Sequence, residues 1–167
     1  MTTIRVSLVD LYVLRPGSRG LEVLVLHRAP GERCGGAWET VHGHIEPEES
    51  PLAAALRELR EETGLEPDRV YNLSRLESFY QHRLDEVALI PVFVALVVGG
   101  QPVTLSREHD HFEWLPLESG PARLAWPRER RALEDVGALL ASGDAGLLED
   151  VLRVPVPDSP SPVRGEG

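Results

Sequence analysis

Three glutamates, Glu58, Glu61 and Glu62, crowd into one short stretch of the chain, and a fourth, Glu49, precedes them. Carboxylates this close repel one another unless a cation offsets them. A helix advances about 100° per residue. With Glu58 set at zero, Glu62 falls at roughly +40° and Glu61 at roughly −60°, while Leu52, Leu56 and Leu59 cluster at about +100° to +160°. One helix side is then acidic and the adjoining side apolar. Such a set of oxygens suits a hard divalent cation. Mg2+ is commonly held by one or two carboxylates together with substrate phosphates, and Mn2+ takes the same oxygens. The plain alternative is a solvated acidic helix face.

The elements that must position these glutamates can be read around them. Ser50 offers an N-cap, and Pro51 fits the first helical position, where a missing N–H costs nothing. Ala53 to Glu62 are good helix formers, and Gly64 supplies a left-handed stop. Upstream, Ile4 to Leu14 and Leu21 to His27 read as strands joined by a turn over Arg15 to Gly20. Ala29 to Gly36 is a loop, and Trp38 to Ile45 holds one or two short strands around Gly43. Downstream, Arg69 to His82 and Glu86 to Val98 read as strands, then His111 to Leu115 as a shorter one. Helices follow over Arg128 to Ser142 and Ala145 to Leu152. This order lacks regular βαβ alternation and predicts an α+β fold, with helices packed on a mixed sheet.

The 167 residues predict one domain with a core of its own. The formal net charge of −10 argues against a nucleic-acid duplex as partner. It still admits a small phosphorylated ligand, because a bound cation reverses the local field. Cys34 is the only cysteine, so no intrachain disulfide forms, and it has no evident activating partner. The apolar runs fall short of the roughly 20 residues of a spanning helix, and no secretory leader is evident. A cytoplasmic protein without a membrane segment is expected.

The spacing around the glutamates is specific. Gly43, Glu49, Arg57, Glu58, Glu61, Glu62 and Gly64 stand at fixed intervals, and seven such matches arise by chance on the order of 10⁻⁷ per start point. With Leu59 and Leu65 aliphatic, this segment resembles the Nudix box, G-x5-E-x7-R-E-U-x-E-E-x-G-U. The resemblance implies a Nudix fold, a mixed β-sheet sandwiched between α-helices. It also implies a hydrolase that cleaves phosphoanhydrides in a nucleoside diphosphate linked to another group, using Mg2+ or Mn2+. Carried over by position, Glu58, Glu61 and Glu62 would be metal ligands, and Gly43 would offer its carbonyl. Arg57 would pair with Glu49, and Gly64 would close the box. His42 and Glu48 stand where glycine is common in the family.

Outside the box, Ala37 to Glu46, Ser106 to Leu115 and Leu124 to Leu133 resemble segments of the dihydroneopterin triphosphate and dATP pyrophosphohydrolase group, which removes pyrophosphate from triphosphates. In that pattern Glu108 would be a further metal-binding or base glutamate. Arg28 is a candidate phosphate contact, and Trp38 and Trp126 are candidate stacking platforms. Tyr80 falls near a tyrosine of the diadenosine polyphosphate hydrolases, which keeps that substrate class open, alongside a non-catalytic nucleotide sensor. Arg128, Arg130 and Arg131 read as a solvated helix start. The His42-x-His44 and His109-x-His111 pairs, each on one strand face, lack a third ligand for zinc. Specificity is expected in the loops Ala29 to Gly36 and Arg83 to Glu86. The expected domain covers 1–153. The Pro- and Ser-rich segment 154–167 reads as a flexible tail, and a homodimer stays open.

Overall fold

The computed structural model describes residues 1–156. Strand β1 (Thr3–Val6) and strand β2 (Leu8–Gly17) divide at Ser7 what reads in sequence as one run. Both lie parallel to the same later strand, β7 (Glu86–Leu96), with registers that slip by one residue across Ser7. Strand β2 continues through Arg15 and Pro16, so the turn into β3 (Gly20–Arg28) is shorter than expected.

The short strands β4 (Trp38–Glu39) and β5 (Val41–His44) form one crossing segment. β4 pairs with β3, and β5 pairs with β2. β3 and β2 pair only from Leu14↔Val23 to Gly17↔Gly20; the sheet then forks, and this segment bridges the fork. Between its two halves Thr40 donates its hydroxyl to the Leu11 carbonyl at 2.5 Å. Helix α1 (Pro51–Thr63) follows, and β6 (Arg69–Gln81) pairs antiparallel with β7. Strand β8 (His109–Pro116) covers the outer edge of β3.

Alternation along the central strands supplies two cores. Leu11 and Val13 of β2, with Phe93 and Ala95 of β7, pack against Ala55 and Leu59 of α1. Tyr12, Leu14, Val92 and Val94 face the opposite way. They meet Leu133, Val136 and Leu140 of the later helix, which follows the short helix α2 (Gly120–Arg123) and is numbered α3 (Pro127–Leu140). A sheet covered on both faces needs near-continuous apolar strands, which is why β2 and β7 are mostly apolar, with Asp10 the charged residue within the buried part of β2. The mixed sheet between α1 and α3 is the expected α+β architecture.

A short helix α4 (Glu149–Leu152) leads into β9 (Arg153–Val154), where Val154 pairs with Val70. Val154, expected as the first tail residue, is therefore a sheet residue; 157–167 lies outside the described residues.

Candidate active site

Helix α1 is seated by its ends. Ser50 Oγ accepts from the Ala53 N–H at 3.1 Å. Gly64 adopts φ 70° and donates its N–H to the Arg60 carbonyl, a conformation that a side chain would strain. The helix lies against the Gly43 end of β5. A Cβ placed on Gly43 would sit 2.1 Å from the Glu58 carboxyl carbon, so only glycine lets that carboxylate reach the backbone there.

Arg57 organises the loop between β5 and α1. Its guanidinium holds Glu49 with both oxygens, from Nε and Nη2 at 2.9 Å each, and donates to the His44 carbonyl at 2.8 Å. It also reaches Glu58 at 2.9 Å and Glu61 at 3.3 Å. This contact to Arg57 holds the Glu49 carboxyl below the usual carboxylate range.

The three helix glutamates differ in setting. Glu58 lines a cleft of about 360 Å³. Glu62, 3% exposed, is enclosed one turn further on, and its Oε2 has no hydrogen-bond partner. Burial, then the neighbouring charges of Glu58, Glu39 and Glu108, push the Glu62 carboxyl well above its ordinary range. Burial also raises Glu58, against the opposing pull of Arg57. Glu61 is the most exposed of the three and turns to Arg57; it is not on the cleft wall.

The far wall comes from other elements. Arg28, at the end of β3, donates to Glu39 Oε1 at 3.0 Å and lies 3.9 Å from Glu108 Oε2. Glu39 also meets His109 Nε2 at 3.0 Å. Although burial opposes its charge, these bonds from His109 and Arg28 hold the Glu39 carboxyl low. Glu39 is thus an ionised group beside Glu62, and the sequence reading missed it. Its signal was a lone acid between Trp38 and Thr40 in a strand-forming segment. Arg33 and Cys34 enter the cleft mouth from the loop after β3, whereas Arg83 to Glu86 does not reach it.

The apolar end is built by Leu8, Ile90, Phe79 and Trp126. Phe79 meets the Trp126 ring edge-on, with centroids 6.0 Å apart. Arg128 lies 4.8 Å from the Trp126 ring centroid and is held by Asp10 at 3.0 Å, with Asp10 also 2.6 Å from His42 Nδ1. Arg128 is therefore a part-buried cleft residue and not part of a solvated helix start.

Two expected binding residues lie elsewhere. Tyr80 points away from the cleft and donates its hydroxyl to Asp85 at 3.0 Å. Strand alternation gives the wall to Phe79 and Gln81 instead. Trp38 packs against the α3-side core, beside His27 and beneath Arg123. The pair His109 and His111 also parts: His109 is buried on Glu39, whereas His111 is exposed.

A family model described as the NUDIX domain matches residues 5–136. The chain is 32% identical over 114 residues to a bis(5'-nucleosyl)-tetraphosphatase [asymmetrical] of Mus musculus, covering 67% of this chain and 75% of that protein. It is 32% identical over 133 residues to an octanoyltransferase of Myxococcus xanthus, covering 75% of this chain but only 35% of that protein's length. Among solved structures, a Listeria monocytogenes protein assigned to the NUDIX hydrolases superposes with a TM-score of 0.71 at 26% identity, covering 81% of this chain and 94% of that one. The chain belongs to the Nudix family. Among the described residues no helix is long and apolar enough to cross a membrane.

Proposed function

We propose that this protein hydrolyses a phosphoanhydride bond of a nucleotide with the help of Mg2+ or Mn2+. The observation that carries this reading is the enclosed, unpartnered Oε2 of Glu62 beside Glu58, Glu39 and Glu108. A buried acid with a free oxygen among like charges is costly, and oxygen donors of this kind fit a hard divalent ion. Glu58, Glu62 and the Gly43 carbonyl would hold it, with Glu61 joining on release from Arg57. When bound, the ion supplies charge neutralisation at phosphate oxygens and activation of water.

The chain's own residues do the rest. Arg28 presents a guanidinium to phosphate oxygens and is kept charged by Glu39, whose bond raises its pKa against the effect of burial. Glu108, half exposed at the cleft and facing Arg28, accepts at Oε2 the proton of the attacking water. Trp126 and Phe79 provide the apolar surface for a base or pterin ring. Water attacks phosphorus directly, with no covalent enzyme intermediate.

Between substrates, the segments around Glu108 and Trp126 favour a nucleoside or pterin triphosphate that releases pyrophosphate. A second reading, a dinucleoside tetraphosphate, is favoured by the identity to the mouse tetraphosphatase. Incubation with dATP, dihydroneopterin triphosphate and diadenosine tetraphosphate, with product analysis, separates them. Pyrophosphate from a triphosphate supports the first, and ATP with AMP from the tetraphosphate supports the second. No turnover on a wider nucleotide panel that includes ADP-ribose overturns both and leaves a non-catalytic sensor.

A further inference from the structure

On the back of the Arg28–Glu108 wall lies a second cluster. His27 of β3 pairs with His111 of β8, and Arg28 pairs with His109, so Asp110 is one residue in excess at a bulge. A bulge interrupts strand alternation and re-aims side chains. Here it sends His109 inward to Glu39 and gathers Asp110 and His111 beside His27. Asp110 Oδ1 lies 2.5 Å from His27 Nδ1 and 3.1 Å from His111 Nδ1. All three donor atoms lie within 4.8 Å of one another.

We propose that His27, Asp110 and His111 bind a Zn2+ ion, at a site separate from the cleft carboxylates. Two imidazole nitrogens and one carboxylate oxygen form a three-ligand zinc set, with water filling the fourth tetrahedral position. Zinc bonds of about 2.0–2.2 Å place neighbouring ligand atoms roughly 3.3–3.5 Å apart. The observed Asp110 contacts need open by less than about one ångström to admit the ion. His27 and His111 are opposed on paired strands, which holds their Cβ atoms about 4.5–5.5 Å apart, so chelation orders no loop. The His27 ring also packs on Trp38, with centroids 4.9 Å apart, which restricts its rotation.

The two sites sort cations by ligand class. The cleft offers oxygens, suited to Mg2+ or Mn2+, and the bulge offers imidazoles, suited to zinc. An ion here clamps β3 to β8 beside the residues that set Arg28 and Glu108. The proposal does not depend on hydrolysis of any substrate.

Equilibrium dialysis of the full chain against Zn2+ tests it. A Glu58→Gln, Glu62→Gln, Cys34→Ser background removes two of the cleft carboxylates and the thiol as competitors; wild-type chain in saturating Mg2+ is the second measurement. The expected result in both is one zinc per chain. His111→Ala, at an exposed residue, should weaken binding about tenfold or more, and His27→Ala with His111→Ala should abolish it while circular dichroism stays unchanged. Absence of stoichiometric zinc in both measurements, or binding unaffected by the histidine changes, overturns the proposal and leaves Asp110 a hydrogen-bond acceptor for two imidazoles.

Discussion

The near wall of the cleft and its far wall are built in opposite ways. The near wall is one continuous segment, Gly43 to Glu62, in which Arg57 ties loop to helix and helical period sets the carboxylates. The far wall is assembled from the end of β3, from β4, β6 and the start of α3, and from the loop entering β8, so Arg28, Glu39, Phe79, Glu108 and Trp126 share no local spacing. A wall made from one element is legible as a motif. A wall made from several elements depends on how the sheet forks, and its residues are tied to one another by contacts remote in sequence, as Arg28 and His109 are through Glu39.

The largest effect should come from the near wall. Glu58→Gln or Glu62→Gln should lower kcat by about 10³-fold in Mg2+, by analogy with loss of a preorganised electrostatic partner. Each variant should melt no lower than wild type, because it removes a raised, crowded charge. Turnover within a few-fold of wild type would remove the helix from the catalytic machinery. Next, Glu108→Gln should lower kcat by about 10²-fold, the scale of a lost general base, with the melting temperature unchanged. Near-normal turnover would return Glu108 to a surface role and leave the far wall without a base.

Within the far wall, Trp126→Ala should raise KM by about tenfold, equivalent to ~1–3 kcal/mol of base stacking, with kcat less affected. Tyr80→Phe should leave both parameters unchanged, since its hydroxyl serves Asp85. Trp38→Ala should instead lower the melting temperature, since its ring packs between the core and Arg123. If Tyr80→Phe raises KM and Trp126→Ala does not, the assignment of the apolar end is reversed.

The smallest effect concerns Glu129, fully buried behind the cleft with neither carboxylate oxygen hydrogen-bonded. Burial, then the Asp10 charge, pushes its carboxyl well above the ordinary value of 4.5. The folded state therefore holds this proton more tightly than the unfolded state. Its stabilising contribution is full below pH 4.5 and is lost as pH rises through the raised native value. Glu129→Gln should remove this slope, so its melting temperature should exceed that of wild type by a margin that widens from pH 5 to pH 8. A margin of about 2–4 °C corresponds to ~1 kcal/mol in a chain of this size. An equal margin at every pH would show that Glu129 is not titrating in that range.

Local patterns explain how much could be read without coordinates. Helix α1 was legible to its caps because Ser50, Pro51 and Gly64 each act on their own backbone neighbours. The two-sided core was legible in the mostly apolar runs of β2 and β7, which Asp10 alone interrupts between Leu8 and Leu14. Tyr80 was misplaced because its spacing from the box says nothing of strand phase, and phase gives the cleft to Phe79 and Gln81. The two histidines of β8 were misread as facing one way because a bulge leaves no mark in composition. Glu39 stayed hidden because its partners, Arg28 and His109, are remote in sequence.

Sequence alone therefore determined the box and its helix, and through the resemblance of that spacing it implied the family and the Arg57–Glu49 tie, because all of these rest on interactions spanning few residues or on fixed spacing. Tertiary structure alone decided that Glu62 is enclosed with a free oxygen, that Glu39, Arg28 and Glu108 face it, and that Trp126 rather than Trp38 reaches the cleft. Those outcomes follow from where the sheet forks and where β8 bulges. Both are set by the packing of whole strands, which no short segment encodes.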